Sequence, residues 1–472
     1  MPLFGTRGAA SVTGFGGLAK LGYLLRNSLR FRASNSAYLS RTPSVTGNRK
    51  VWTWSGWVKR GQLDAGADDL ILFSSPSQSG NDGIAAIYFD SGQLHTYYDT
   101  SGANPYGPVG PALYRDPAAW YHIVWAVDAA NTIHYVYVNN TLVSTDAAYY
   151  PPNYEYSMNR SGGYTHTMGT QAWGATNYFD GYMTEINFVD GQALTPSSFG
   201  KTDPATGQWI PIKYSGTYGT NGFYLNFTDA SAATAAAIGK DSSGNGNNWT
   251  PNNISVTAGA TYDSMTDVPT LTSATAANYC VLNPLSPTPY GSLSNGNLLF
   301  TNAGVDWGGS KSTFAIPTTG KWYAEFTIGS TSSNSAQVDM GIFPSSNPNG
   351  SDWTGSYGLE ANNGFFLYTN GSSSSNRGST TAGGTVFQIA VDSDAGKVWF
   401  GVANSWYDTY NTTNGNPSAG TNPSGSGINF STTTYFMGVK TYLNNWTANF
   451  GQRPFSYTAP SGFKSLNAFN LP

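Results

Sequence analysis

Four glutamates stand in this chain of 472 residues: Glu155, Glu185, Glu325 and Glu360. They are the first place to look for acid–base chemistry. Cleaving a glycosidic bond takes two carboxyl groups about 5–9 Å apart across the scissile bond. On a strand, side chains of one face recur at every second residue, so a paired site would show acids at i and i+2. Glu185 has Asn187 at i+2, and Asp180 falls on the other parity. Glu325 and Glu360 are isolated in the same sense. Glu185 therefore reads as a structural hydrogen-bonding residue. No serine nucleophile elbow, histidine-based triad or phosphate-cradling glycine loop accompanies these acids. The chain reads as a non-enzyme.

Binding chemistry is better represented. Sugars are held by aromatic faces against their C–H surface, with Asn, Asp and backbone groups on the hydroxyls. Loops of that composition run from Tyr97 to Tyr106, from Tyr149 to Tyr156 and from Trp173 to Asn177. The candidate ligand residues are Tyr149, Tyr150, Asn153, Tyr154, Tyr156, Trp173 and Asn177. In the second half of the chain, Trp353, Trp406 and Tyr407 join them, with Tyr410 nearby. Four Tyr and two Pro between Tyr149 and Tyr156 make the stiffest of these ridges. The same side chains would serve equally to pack a loop on its own domain or on a neighbouring subunit. A loop at 241–248, DSSGNGNN, alternates oxygen-bearing side chains with glycine. Calcium takes six to eight oxygens, so Asp241, Asn245 and Asn247 are candidate ligands for a structural calcium. Asx-turn chemistry explains the same residues.

These residues need strands to hold them. Charged residues make up 10% of the chain, aromatics 15%, and Gly numbers 56. Such a composition favours pleated surfaces over helices. Disorder is excluded by 14 Trp, 31 Tyr and 24 Phe. The stretch 120–145, WYHIVWAVDAANTIHYVYVNNTLVST, alternates twice around Asn-rich breaks. It predicts consecutive antiparallel strands with a tight hairpin turn at Asn139-Asn140. The length fits two domains. We expect an all-β chain of two concanavalin A-like antiparallel β-sandwich (jelly-roll) domains in tandem behind an N-terminal arm. The parts are an arm at 1–28, a first sandwich at 29–227, a Ser/Asn/Gly-rich connector at 228–285 that partly drapes over a sandwich, and a second sandwich at 286–472.

Family resemblances sharpen this. The WTWSGWV of 52–58, the WYHIV of 120–124, the YVN of 137–139 and the FDGYMTEINF of 179–188 stand in the order of a laminin-G-like sandwich, which the first domain resembles. The GKWYAE of 320–325 and the VFQIAVDSDAGKVWFGV of 386–402 resemble the signature of a SPRY domain, with Asp392 and Gly396 framing its turn. The insert 407–429 departs from the usual compact SPRY pattern. DGQALTPSSFG (190–200) and YSGTYGTNGFYLNF (214–227) resemble virion proteins of tailed phages. That resemblance implies a fibre or appendage component that displays lectin-like domains towards a host glycan. The arm would anchor it to other virion proteins, and phage appendages suggest a homo-oligomer, a trimer by analogy. The alternatives are a capsid decoration or head-fibre protein with purely structural contacts, and a surface-polysaccharide depolymerase.

Charge and cysteine narrow the setting. A formal net charge of −4 leaves no electrostatic footprint for nucleic acid. No run of about 20 apolar residues predicts membrane insertion. Cys280 is alone, so no intramolecular disulfide framework is expected. Sandwiches without disulfides or a secretory leader fit a virion protein assembled in the host cytoplasm.

Overall fold

The computed structural model describes residues 23–472 apart from 64–68, 78–82, 99–105, 132, 145–152, 271–272, 286–289, 305, 333–336, 348–352, 363 and 375–379. The chain is all-β, in two pairs of facing sheets.

In the first sandwich one sheet runs, edge to edge, through Thr141–Ser144, Ile133–Val138, Trp120–Asp128, Val51–Arg60, Gly181–Asp190, Ser28–Phe31 and Ser264–Met265. Phe223–Leu225 also pairs with Gly181–Asp190. The opposing sheet is Thr250–Asn252, Tyr38–Arg41, His166–Met168, Leu70–Ser75, Ala85–Asp90, Gln93–Tyr98 and Tyr106–Pro108. The 120–145 stretch folds as its alternation predicts. Ile123, Trp125 and Val127 enter the core between the sheets, where Trp125 meets Trp52 edge-on at 4.7 Å. Asn139 and Asn140 take φ of 47° and 68°, the left-handed pair that a two-residue hairpin turn requires.

His122 and Val124 face the other way, and that face is covered as well. A small hairpin, Gly200–Thr202 with Trp209–Pro211, folds back over it. Trp209 Nε1 donates to His122 Nδ1 at 3.0 Å, and Val124 packs with Val189, Phe199 and Tyr214. That is why Gly181–Asp190 is buried along its whole length.

The segment expected to be a connector is woven into the first sandwich. Thr250–Asn252 extends one sheet and Ser264–Met265 the other. Trp249, 1% exposed, fills the core against Phe73 and Phe223. Low apolar density hid this, because a few scattered side chains, Ile238, Trp249 and Ile254, do the filling.

The second sandwich pairs two sheets. One carries Ser292–Ser294, Leu299–Thr301, Asn445–Asn449, Lys321–Ile328, Val386–Asp392, Lys397–Val402 and Ser405–Tyr407. Gly425–Ser426 adds to Lys397–Val402, and Lys464–Ser465 pairs in parallel with Lys321–Ile328. The other sheet is Gly308–Lys311, Tyr435–Thr441, Val338–Pro344, Tyr357–Ala361, Phe365–Thr369 and Ser372–Ser373. The Asp392–Gly396 turn forms as expected: Asp392 accepts the N–H of Ala395 at 3.0 Å, and Gly396 sits at φ 63°.

The two sandwiches are joined through a buried seam. Trp57, Trp120, Tyr182 and Met265 of the first belong to the same apolar cluster as the core of the second. Lys59 Nζ, fully buried, donates to Asp267 at 2.7 Å, to Asn278 Oδ1 at 2.9 Å and to the Tyr279 carbonyl at 2.7 Å. Asp180 accepts the backbone N–H groups of Asn295 and Gly296 at 2.8 and 2.6 Å.

Candidate functional site

One tight turn builds the best-formed aromatic site. Lys397–Val402 and Ser405–Tyr407 are joined by Ala403 and Asn404, at φ 48° and 67°. The hairpin sets Trp406 directly opposite Gly401. A Cβ at Gly401 would lie 3.0 Å from the Trp406 ring, so glycine is what lets the indole lie close over the strand. Tyr323 supports the ring from the neighbouring strand, centroids 6.4 Å apart. Gln388 fixes the turn: its Oε1 accepts from the Asn404 N–H at 2.8 Å, and its Nε2 donates to the Tyr323 hydroxyl at 3.1 Å.

The insert after Tyr407 supplies one wall of a groove over this ring. The Gly415 N–H donates to the Trp406 carbonyl at 3.0 Å. The Ser461 N–H donates to Ser418 Oγ at 3.1 Å, linking the insert to the C-terminal segment that forms the opposite wall. The groove encloses about 600 Å³, with Asn404, Pro417, Ser418, Pro460 and Ser461 beside Trp406. No charged side chain lines it, and Trp406 Nε1 has no partner among the described residues. An aromatic floor with amide, hydroxyl and backbone groups around it suits a neutral polyhydroxy ligand.

The other expected ligand residues divide. Tyr149 and Tyr150 lie outside the described residues. Asn153 is exposed at φ 60°. Tyr154 is half-buried, edge-on to Tyr156 at 4.9 Å. Tyr156 is only 1% exposed, packed beside Tyr98 and His134, and so is a core side chain rather than part of a ligand ridge. Trp353 is corrected in the same way. It is 7% exposed and stacked between Phe343 and Tyr368, at 5.4 and 4.4 Å. Trp173 is 37% exposed beside Tyr97, and Asn177 shapes the nearby turn at φ 57°. Tyr407 neighbours Trp406 but points to the opposite face, where it packs on Phe365.

The calcium expectation is also corrected. Asp241 Oδ1 accepts the N–H groups of Tyr224 and Ser243, and Oδ2 accepts the Asn247 N–H and the Ser243 hydroxyl, all at 2.8–2.9 Å. Asn245 and Asn247 turn their Nδ2 groups onto backbone carbonyls of residues 219–222. Both Asp241 oxygens are taken by N–H and O–H donors and Asn247 Oδ1 accepts from Arg41, so the loop is a hydrogen-bonded staple. Among the described residues no cluster of three His, Cys, Asp or Glu is placed to hold a metal.

The glutamates hold structure together. Glu325 accepts from the Ser456 and Tyr457 N–H groups and the Tyr323 hydroxyl, at 2.7–2.9 Å. Glu360 accepts from the Tyr368 hydroxyl at 2.8 Å. Glu155 pairs with Arg49 at 2.9 Å on the surface. Glu185 accepts from the Tyr224 hydroxyl at 2.6 Å.

Residues 33–199 match the family model described as the concanavalin A-like lectin/glucanases superfamily. The matched residues fall within the first sandwich, whose two facing antiparallel sheets have the concanavalin A-like β-sandwich fold. Among solved structures the chain is similar to a candidate carbohydrate-binding protein from Bacteroides ovatus, at 15% identity and TM-score 0.31, over 49% of this chain and 59% of that one. It therefore spans less than two thirds of that protein. It is also similar to domains LG4-5 of the mouse laminin alpha1 chain, at 10% identity and TM-score 0.30, over 94% of this chain and 87% of that one. The SPRY domain of human HERC1 aligns at 13% identity and TM-score 0.26, over 38% of this chain and 99% of that one. No curated protein matches the chain.

Proposed function

We propose that this is a non-enzymatic glycan-binding protein of a tailed-phage virion, a fibre or appendage component whose two sandwiches face the host surface. The observation that carries the binding half is the Trp406 groove, where an indole face lies open between two polar walls. The lectin-type domain in the first half supports the same reading. The virion half rests on the resemblance of DGQALTPSSFG and YSGTYGTNGFYLNF to phage appendage proteins. In this reading residues 1–28 dock the chain on other virion proteins, copies associate as a trimer, and assembly occurs in the host cytoplasm.

The test is retention of the purified chain on envelopes of candidate host bacteria, with and without free envelope polysaccharide. Retention that the free polysaccharide competes away is the expected result. No retention on any permissive host would overturn the glycan reading. A decoration protein with purely structural contacts is then favoured, and Tyr410, 79% exposed, is a natural subunit contact.

A further inference from the structure

The first sandwich holds a second cleft whose chemistry differs from that of the Trp406 groove. It forms around a fault in the central strand. Between Thr184 and Asn187 the pairing of Gly181–Asp190 with Val51–Arg60 shifts register, and Glu185 adopts φ 53°. A left-handed conformation is costly at a non-glycine residue, and such bulges re-aim a side chain. Here the re-aimed side chain is a carboxyl group 4% exposed that lines a cleft of about 350 Å³. A second hollow of about 400 Å³ adjoins it and shares Lys213, Tyr224 and Ser242. Both sizes lie within the roughly 300–1,000 Å³ usual for small-ligand sites.

Two tyrosines hold Glu185. Tyr224 donates to its Oε1 at 2.6 Å, Tyr23 bonds to Tyr224 in turn, and Asn187 Nδ2 donates to the Glu185 carbonyl at 2.9 Å. Tyr23 also hydrogen-bonds to the Glu185 carboxyl. Burial raises the carboxyl to about 7, so near neutral pH it is partly protonated and can donate a hydrogen bond. The groups facing it are Tyr23 of the N-terminal segment, Tyr224 of Phe223–Leu225, Tyr218 of the preceding loop, and Lys213. Two exposed cations, Lys213 and Arg26, line the cleft, and the Lys213 charge acts on Glu185 across it.

We propose that this cleft is a second saccharide site, one for an acidic sugar. The sugar carboxylate sits on Lys213 and Arg26, while ring hydroxyls meet Tyr224, Ser242 and the Glu185 carboxyl at the cleft wall. The proposal rests on the glycan-binding reading of the chain and adds to it a class of ligand that the uncharged Trp406 groove does not select. A protonated Glu185 donates to the ligand, and an ionised one repels it.

The test is calorimetric titration of the full chain with digalacturonate and with neutral cellobiose, between pH 6 and 8. Digalacturonate is expected to bind, more weakly as the pH rises. Lys213→Ala should weaken it about tenfold, the usual loss of one charge-assisted contact. Trp406→Ala should leave it unchanged, and Glu185→Gln should remove the pH dependence while circular dichroism reports an intact fold. Digalacturonate binding lost in Trp406→Ala but kept in Lys213→Ala would overturn the second site and leave the glycan reading standing. Envelope polysaccharide binding without digalacturonate binding would do the same. If neither saccharide nor the polysaccharide binds, the glycan reading falls with it.

Discussion

Burial of titratable groups gives single residues a measurable signature. His122 and His166 are lowered to about 3 and about 4 by burial, and His95 and His134 are lowered as well. A histidine held neutral in the fold costs stability as pH falls below the ordinary value of 6.5, because the unfolded chain takes up protons that the folded chain refuses. Glu185, raised to about 7, and Asp339, raised to about 8, act in the opposite sense. Their stability is full below the ordinary carboxyl range and is lost as pH rises through the folded value. Asp180 and Asp267 are raised by burial too, so acids and histidines oppose one another below about pH 6.5, and above it the acids alone act, so stability should decline from about pH 6.5 towards pH 8. Denaturant titrations across that range check it; a flat profile would contradict the assigned burial. Glu185→Gln should gain about 3 kcal/mol on the native chain between pH 4.5 and pH 8, since one pKa unit is worth about 1.4 kcal/mol. Little of this was legible in the sequence. The alternation put Glu185 on a strand and suggested a hydrogen-bonding role, but a bulge leaves no mark in a period-two pattern, so its lifted backbone and the cleft beside it stayed hidden.

Elements explain which of the expected aromatic side chains lie open and which are packed away. The Trp120–Asp128 strand and its hairpins were legible because alternation, β-branching and Asn-Asn turns agreed with one another. Trp406 was legible as an aromatic in a polar loop. Its rim was not, because Asn404, Ser418 and Ser461 are brought together by a tight turn, an insert and the chain's last strand pairing. Tyr156 and Trp353 were misread for a complementary reason: composition cannot tell an aromatic loop that packs inward from one that faces out. The seam offers the sharpest test at this scale. Lys59 and Asp267 are both fully buried, so Asp267→Ala leaves a lone ammonium in an apolar junction. Removing one partner of such a pair costs about 3–5 kcal/mol. Denaturation of Asp267→Ala should show that loss, and Lys59→Met should cost less because it leaves a neutralisable acid. An equal and negligible effect of both would place the seam outside the stable core.

At the scale of the whole molecule the two sandwiches act as one body. Arg30 and Arg32 converge on Asp263 at 2.8–3.1 Å. These pairs, with the pairing of Ser28 and Met265, tie the strand that follows the arm to the seam, since Met265 belongs to the shared apolar cluster. Truncation through Phe31 should therefore lower stability in a denaturant titration, because Leu29 and Phe31 are core residues. In the appendage reading a chain lacking residues 1–28 should fail to assemble on particles, and recovering it there would remove the arm as anchor. The central claim is glycan binding at the Trp406 groove, and it turns on one comparison. Envelope polysaccharide that retains the wild-type chain should be titrated calorimetrically into wild type and into Trp406→Ala. Saturable binding by the first and a loss of at least tenfold in the second is the predicted result, the scale expected for an aromatic platform. Equal binding by both would contradict it.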